Sequence, residues 1–497
     1  KLVSGIVRCS GFLIHLRSIM ASMNQKSSVV QTPKSVRWAL TSDKGFYQMY
    51  DYTRLPWELD CNFDAAIPLN IDSLPSASPA LNKLVEEIFE AAGVASLIKA
   101  KQPAKVRSAH NRLIKVLTSL MWYLYKAAKA GQDFFVLASF RHAAFSPPSE
   151  YNPHGVTRLW IMVAKLLGKR WLLDIYQGFY CRDTCSGKLT RLRSTPKLYE
   201  ALVALPPNIR EDAAARPCIV VRDRETKKLS SLSEYSVHPK VVKNLETLTR
   251  YNEFIESKNI DFGARHVGQL AFTDRKGNSC AIDPSNKHLH AVFHIDAAQR
   301  LTYGRLHGPF WQVLPSVWRE ELHINGQGTI ELDYRAQSLS IAASLSGVQL
   351  EGDPYELESR ECNLPSCNQR ELVKLATVMM LNNSSKRSAF DALRGKKKTS
   401  NRFRGVKFTN VFLDDLYDRM FTKHSFLKDW AFRDKGMSVF EEDAEIARRI
   451  VELSTAEGVP VLPIHDGFIV QDESEEFLRD AMDQVWFDRF GTRIGIA

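Results

Sequence analysis

Residues 461–470 read VLPIHDGFIV. Apolar runs stand on both sides of a polar tip, so the flanks have to be inner strands of a sheet and the tip a turn. Asp466-Gly467 is a strong turn signal for such a hairpin. A buried hairpin gains nothing from a carboxylate at its tip. A bound metal ion would explain the acid, and that explanation requires a second carboxylate, a cationic clamp and a basic groove elsewhere in the chain.

A second carboxylate stands upstream in GTIELDYRAQSLSIAASLSG, residues 328–347. The alternation of TIELDY predicts a strand, and SLSIAASLSG predicts a helix stopped by Gly347. Asp333 falls at the junction, where a side chain leaves the pleat and can point into a cleft. Two carboxylates brought together there are suited to a pair of Mg²⁺ ions, with Mn²⁺ as the alternative. Taken singly, Asp333 would cap its helix and Asp466 would make its turn. Between the two aspartates CNQRELVKLATVMMLNNSS (367–385) predicts a helix. Arg370, Lys374, Val378 and Asn382 recur on it at steps of four and share a face. Arg370 and Lys374 would present two cations to a triphosphate, and Lys374 could protonate a leaving pyrophosphate.

The densest charge run is RGKKKTSNRFRGVKF, residues 394–408. Arg394, Lys396, Lys397, Lys398, Arg402, Arg404 and Lys407 are interleaved with Phe403 and Phe408, and no acid interrupts them. On a chain of net charge +11 such a run is read as a contact to a nucleic-acid backbone. A second basic cluster lies in 149–205, where helix, strand and the hairpin CRDTCSGKLTRLRSTPKL follow in the order of a winged helix; Arg191 and Arg193 would touch phosphates from the wing. Residues 1–30 are expected to be a disordered tail or a translated leader, with Met20 or Met23 as the true start. Residues 31–148 are expected to form a helical region and 206–290 a helical connector or thumb-like arm. With 497 residues the chain exceeds one ordinary core. No apolar run reaches membrane-spanning length. Eight cysteines without CxxC spacing point to a reducing compartment rather than a zinc site, and His288, His290 and His294 are read as surface or core residues before metal ligands.

Together these residues resemble family A DNA polymerases and their relatives, the single-subunit phage-type RNA polymerases. Asp333-Tyr334-Arg335 stands where the first palm motif has Asp-Tyr-Ser. Arg370 and Lys374 match the fingers-helix spacing, with Asn382-Asn383 in place of Tyr-Gly. His465-Asp466-Gly467 stands where the last motif has His-Asp-Glu or His-Asp-Ser. LTYGRLHGPFWQVLPSVWREEL (301–322) is similar to the Thr-x-Gly-Arg-Leu segment, which makes Arg305 the counterpart of an arginine at the primer terminus. The match spans roughly 295–475, and the rest of the chain is similar to phage- and prophage-type polymerase-like proteins with a winged-helix front end.

The resemblance implies an α+β fold: a right-hand palm of antiparallel sheet and packed helices over 291–497, with compact helical fingers inserted at about 348–435. It implies a template-directed nucleotidyltransferase that extends a DNA primer with dNTPs. Asp333 and Asp466 would hold two metal ions. Arg370, Lys374, Asn382, Tyr334 and Ser338 would meet the nucleotide, and Arg305, His465 and the basic run would meet primer and template. Other replication proteins are expected partners, and a nucleoid-associated or phage-infected host cytoplasm is the expected location. Ser338 replaces the glutamate that blocks the ribose 2′-hydroxyl, and Asn382 replaces the fingers tyrosine. These two departures keep an RNA polymerase or primase open. A non-catalytic DNA-binding protein with a vestigial palm is the remaining alternative.

Overall fold

The computed structural model describes strands 38–41 and 45–49 and then residues 66–497, apart from 70–73, 133, 141–144, 146–148, 153, 182–185, 208, 213–215, 264–270, 274–278, 358–365, 399–402 and 404. The expected tail at 1–30 and the residues Arg402 and Arg404 lie outside the described residues. The chain is mixed α+β, as expected, and divides into two units: 1–217 with 268–285, and 218–267 with 286–497. The boundaries expected at 148/149 and 205/206 fall inside the first unit, and the connector expected at 206–290 is shared between the two.

The first unit holds a six-stranded sheet. Its strands are β1 (Trp38–Thr41), β2 (Gly45–Met49), β3 (Ala66–Pro68), β4 (Phe135–Ala138), β5 (Leu173–Gln177) and β8 (Thr190–Ser194), in spatial order β1-β2-β5-β8-β4-β3. A small hairpin, β6 (Phe179–Cys181) and β7 (Ser186–Lys188), joins β5 to β8, and a later hairpin comprises β11 (Ala271–Thr273) and β12 (Ser279–Ala281). Helices α1 (Pro79–Ala91), α2 (Pro103–Ala130), α3 (Leu159–Lys169) and α4 (Pro196–Val203) complete it. From Leu113 onward α2 buries Val116, Leu117, Leu120, Met121 and Leu124, and Pro103 opens its first turn, where its missing N–H costs nothing. Full burial of each such aliphatic side chain contributes about 1.5–3 kcal/mol.

The helix, strand and hairpin of 149–205 are present, yet they form no separate winged helix. Strand β8 bonds to β5 on one side and β4 on the other, and Trp160, Val163, Ala164 and Leu167 of α3 are buried in the core. The wing arginines are therefore structural. Arg191 is 7% exposed, and Arg193 lies opposite Asp174, pairs with it at 3.2 Å and covers the Phe135 ring. One partner, β4, comes from outside 149–205, and the local order of elements could not reveal it.

The second unit carries an antiparallel five-stranded sheet: β10 (Ile260–Phe262), β15 (Leu322–Ile324), β16 (Gln327–Asp333), β18 (Gly467–Gln471) and β17 (Leu462–Ile464), in that spatial order. A three-stranded sheet places β13 (His290–Ile295) between β14 (Leu301–His307) and β9 (Ile219–Asp223). Around them pack α5 (Pro239–Glu256), the short α6 (Ser316–Arg319), α7 (Gln337–Leu345), α11 (Gly436–Ala456) and α12 (Glu475–Phe490). A helical insertion, α8 (Ser366–Leu381), α9 (Lys386–Lys398) and α10 (Asn410–Lys423), lies in sequence between α7 and α11. Among the described residues no helix is long and apolar enough to cross a membrane.

A candidate two-carboxylate site

Strands β17 and β18 form the hairpin read from VLPIHDGFIV. Ile464 pairs with Gly467, so the turn residues are His465 and Asp466, and both are exposed. The left-handed residue is His465, at φ 49°, a region that histidine enters more readily than most side chains. Gly467 therefore does not make the turn, contrary to the Asp-Gly expectation. It is small for another reason: it lies directly opposite Asp333 on β16. A Cβ at 467 would lie 3.2 Å from the Leu332 carbonyl oxygen and 3.6 Å from Asp333 Oδ1. Trp311 Nε1 and Gln312 Nε2 both donate to the Pro463 carbonyl, at 3.2 and 3.1 Å, and tie the hairpin to the stretch after β14.

This register brings Asp466 beside Asp333. Burial raises the Asp333 pKa, repulsion from Asp466 and Glu331 adds to it, and Lys374 and the Tyr334 amide only partly offset the rise; the result is about 6. Glu331 is itself occupied by Arg319, whose Nε and Nη2 each donate at 2.7 Å. Lys374 is exposed on α8 and acts on Asp333 through its charge. Arg370, one turn earlier, pairs with Asp353 at 2.5 Å and covers the Tyr355 ring at 5.4 Å. Asp353 was not anticipated from the sequence, since an Asp-Pro turn carries no sign of its partner.

Arg305 leaves β14 to meet Asp443 of α11 at 2.8 Å and lies over the Phe440 ring at 4.9 Å. Asp443 is only 5% exposed. Burial pushes its pKa up, Arg305 pulls it down, Asp466 pushes it up again, and the balance is about 6. A signal for Asp443 did exist: it occupies the four-residue row Val439, Asp443, Ala447 on the buried face of α11, where an acid has to have a partner. Gly304, next to Arg305, has φ 117°, and a Cβ there would lie 2.9 Å from the Phe293 ring. His465 is 6.3 Å from His307, ring to ring. Burial and the Arg305 charge lower the pKa of both histidines, His307 to about 4.

Other expected site residues lie elsewhere. Tyr334 is 2% exposed, donates its hydroxyl to the Met482 carbonyl at 2.7 Å and packs on Trp486, so its side chain is core and faces no nucleotide. Asn382 donates to the Val378 carbonyl at 2.9 Å and presses its oxygen against Gly436. Ser338 is half-buried in the first turn of α7. In the basic run, Arg394 is used internally, donating to the Phe408 carbonyl, Asp391 and Asn410 at 3.0, 3.1 and 2.5 Å. Phe403 and Phe408 are buried against each other and offer no stacking surface. Lys396 and Lys407 are exposed. Lys397 and Lys398 end α9, and their side chains lie outside the described residues.

Among the described residues no group of three or more His, Cys, Asp or Glu side chains is arranged to hold a metal. Two adjacent carboxylates that repel one another are a smaller donor set. It fits Mg²⁺, which commonly takes one or two carboxylates and completes its shell with water and substrate phosphates. The chain matches no protein-family model and no curated protein sequence.

Proposed function

We propose that the second unit is a template-directed nucleotidyltransferase that extends a DNA primer with dNTPs. The observation that carries this reading is the pairing of Asp333 with Gly467. It sets Asp333, at the end of β16, beside the turn that carries Asp466, where burial and the Asp466 charge together raise the Asp333 carboxyl to about 6. Asp333 and Asp466 would hold Mg²⁺, or Mn²⁺ in its place. Ions held there would supply a lowered pKa for an attacking hydroxyl and stabilisation of charge on a leaving pyrophosphate. Lys374, exposed and within electrostatic reach of Asp333, binds the triphosphate and gives the leaving pyrophosphate a proton. Arg370 adds a second cation one turn away on α8, its guanidinium steadied by Asp353 and Tyr355. Arg305, gripped by Asp443, faces the primer terminus with its remaining donors, and His465 supports the tip beside it.

Primer extension on a primed DNA template, with dNTPs or NTPs and with Mg²⁺ or a chelator, tests the reading. Incorporation of dNTPs that stops with chelator and with Asp333→Asn or Asp466→Asn is expected. A second reading, ribonucleotide polymerisation, is favoured by Ser338 at the sugar-filter position and by Asn382, which is bonded to its own helix and leaves no aromatic there. Preference for NTPs would select it. No incorporation with either set, alongside intact DNA binding, would leave a binding protein with a vestigial palm.

A further inference from the structure

The 28 residues of α2 contain six cations and no acid. Two of the six are used internally: Lys126 meets Asp283 and Glu211, and Lys129 donates to the carbonyls of Val203 and Leu205. The exposed first half of the helix differs. Arg107, Asn111 and Lys115 form one row at steps of four, and Ala104, Ser108 and Arg112 form the next. Arg107, Arg112 and Lys115 are exposed and have no ion-pair partner among the described residues. Opposite this helix face stand His154 and Gly155, which with the helix line a shallow groove of about 520 Å³ with no acidic residue on its walls. Their flanks are bonded to each other. Asn152, 1% exposed, donates to the Val156 carbonyl at 2.9 Å and accepts from the Val156 amide at 3.0 Å, while Gly155 takes φ 64°. The far face of α2 is anchored by Leu113, Val116 and Leu117, so the cationic rows cannot rotate away from the surface.

We propose that this groove binds the sugar-phosphate backbone of a nucleic acid. From Arg107 to Lys115 the helix rises about 12 Å at ~1.5 Å per residue. Each strand of a duplex carries one phosphate per about 3.4 Å of duplex axis, so a row lying along that axis passes three to four of them. Ser108 and Asn111, set between the cations, add neutral donors of the kind that hold phosphate oxygens without reading sequence. The groove is open, and a polymer can run through it. This inference does not depend on the chemistry proposed for the second unit.

The test is anisotropy of the full chain with a labelled duplex and a labelled single strand of mixed sequence, titrated over a series of KCl concentrations. The comparison variants are R107Q/R112Q/K115Q and R107K/R112K/K115K. The glutamine variant is expected to lose about 10- to 100-fold in affinity at low salt, and the slope of log K against log[KCl] is expected to fall by about two to three. The lysine variant is expected to bind as the parent does, and both are expected to melt as the parent does. An unchanged slope in a normally melting glutamine variant would overturn the proposal. So would inorganic tripolyphosphate that competes as well as oligonucleotide at equal charge, or tighter binding to anionic phospholipid vesicles than to either oligonucleotide. The curves are measured without nucleotide or Mg²⁺, so a loss in the glutamine variant is read whether or not primer extension succeeds, which separates failure here from failure of the nucleotidyl-transfer reading.

Discussion

Two charged clusters in this molecule are built on opposite rules. In the first unit Lys126 is buried between the Trp122 and Tyr123 rings, 2.9 Å from Asp283 and 3.6 Å from Glu211, and Glu211 is also held by Arg216 at 3.0 Å. Burial alone would lower the Lys126 pKa, but the surrounding acids raise it, and Lys126 in turn keeps Asp283 below its ordinary value. In the second unit Asp333 and Asp466 repel one another, and burial together with that repulsion raises Asp333 to about 6. The first cluster sets an opposite charge beside every charge it buries, as a structural core has to. The second leaves like charges together, which folding alone does not favour and which a bound cation relieves. The difference separates charge paired within the fold from charge the fold leaves in mutual repulsion.

Breaking the second cluster should have the largest effect on activity and the least on folding. Asp333→Asn or Asp466→Asn is expected to cut single-turnover nucleotide incorporation by about 10³-fold or more, the scale of several kcal/mol of lost transition-state stabilisation. Thermal melting of the same variants should stay level or rise, because a repulsion has been removed. A melting loss as large as that of a core mutant would place these acids in the structural class.

Breaking the first cluster should do the reverse. Lys126→Met strands the buried Asp283 and leaves Glu211 to Arg216 alone, and is expected to cost about 3–5 kcal/mol in denaturant unfolding. Adding Asp283→Asn should restore part of that loss. A smaller change is expected from Gly304→Ala, which combines a positive φ with a Cβ only 2.9 Å from the Phe293 ring; about 2 kcal/mol of stability should go, and Arg305 should shift with it.

The smallest effect is a dependence on acid, and it sharpens the contrast by its sign. Asp283 titrates below its ordinary value of 3.8 because Lys126 and Ser285 stabilise its charged form against burial. Its contribution is therefore complete above that value and disappears as pH falls through the lower folded value. Melting of the parent between pH 6 and 2 should show this loss, and Lys126→Met should show less of it.

The site was legible where the signal was local. Strand alternation and a junction located Asp333, a hairpin tip located Asp466, and steps of four located Lys374 and Arg370. What stayed hidden depends on tertiary packing. Arg191 and Arg193 look like a solvated wing until β4, from outside the module, closes on β8 opposite β5. Phe403 and Phe408 look like part of a solvated basic run until they are seen packed on one another. Asp353 acquires meaning only from Arg370, 17 residues on. Gly467 was expected to bend the chain, and its size instead answers to the neighbouring strand.

The end of α8 has a mechanical consequence. Asn382 rests on Gly436, the first residue of α11, while the Phe432 and Asp434 amides donate to the carbonyls of Met380 and Asn383 at 3.0 and 3.2 Å. Two turns further along, α11 presents the acid that grips Arg305. The end of the helix bearing Lys374 is thus bonded to the segment from which α11 rises, so a tilt of α8 would pull on the base of the helix that holds Arg305.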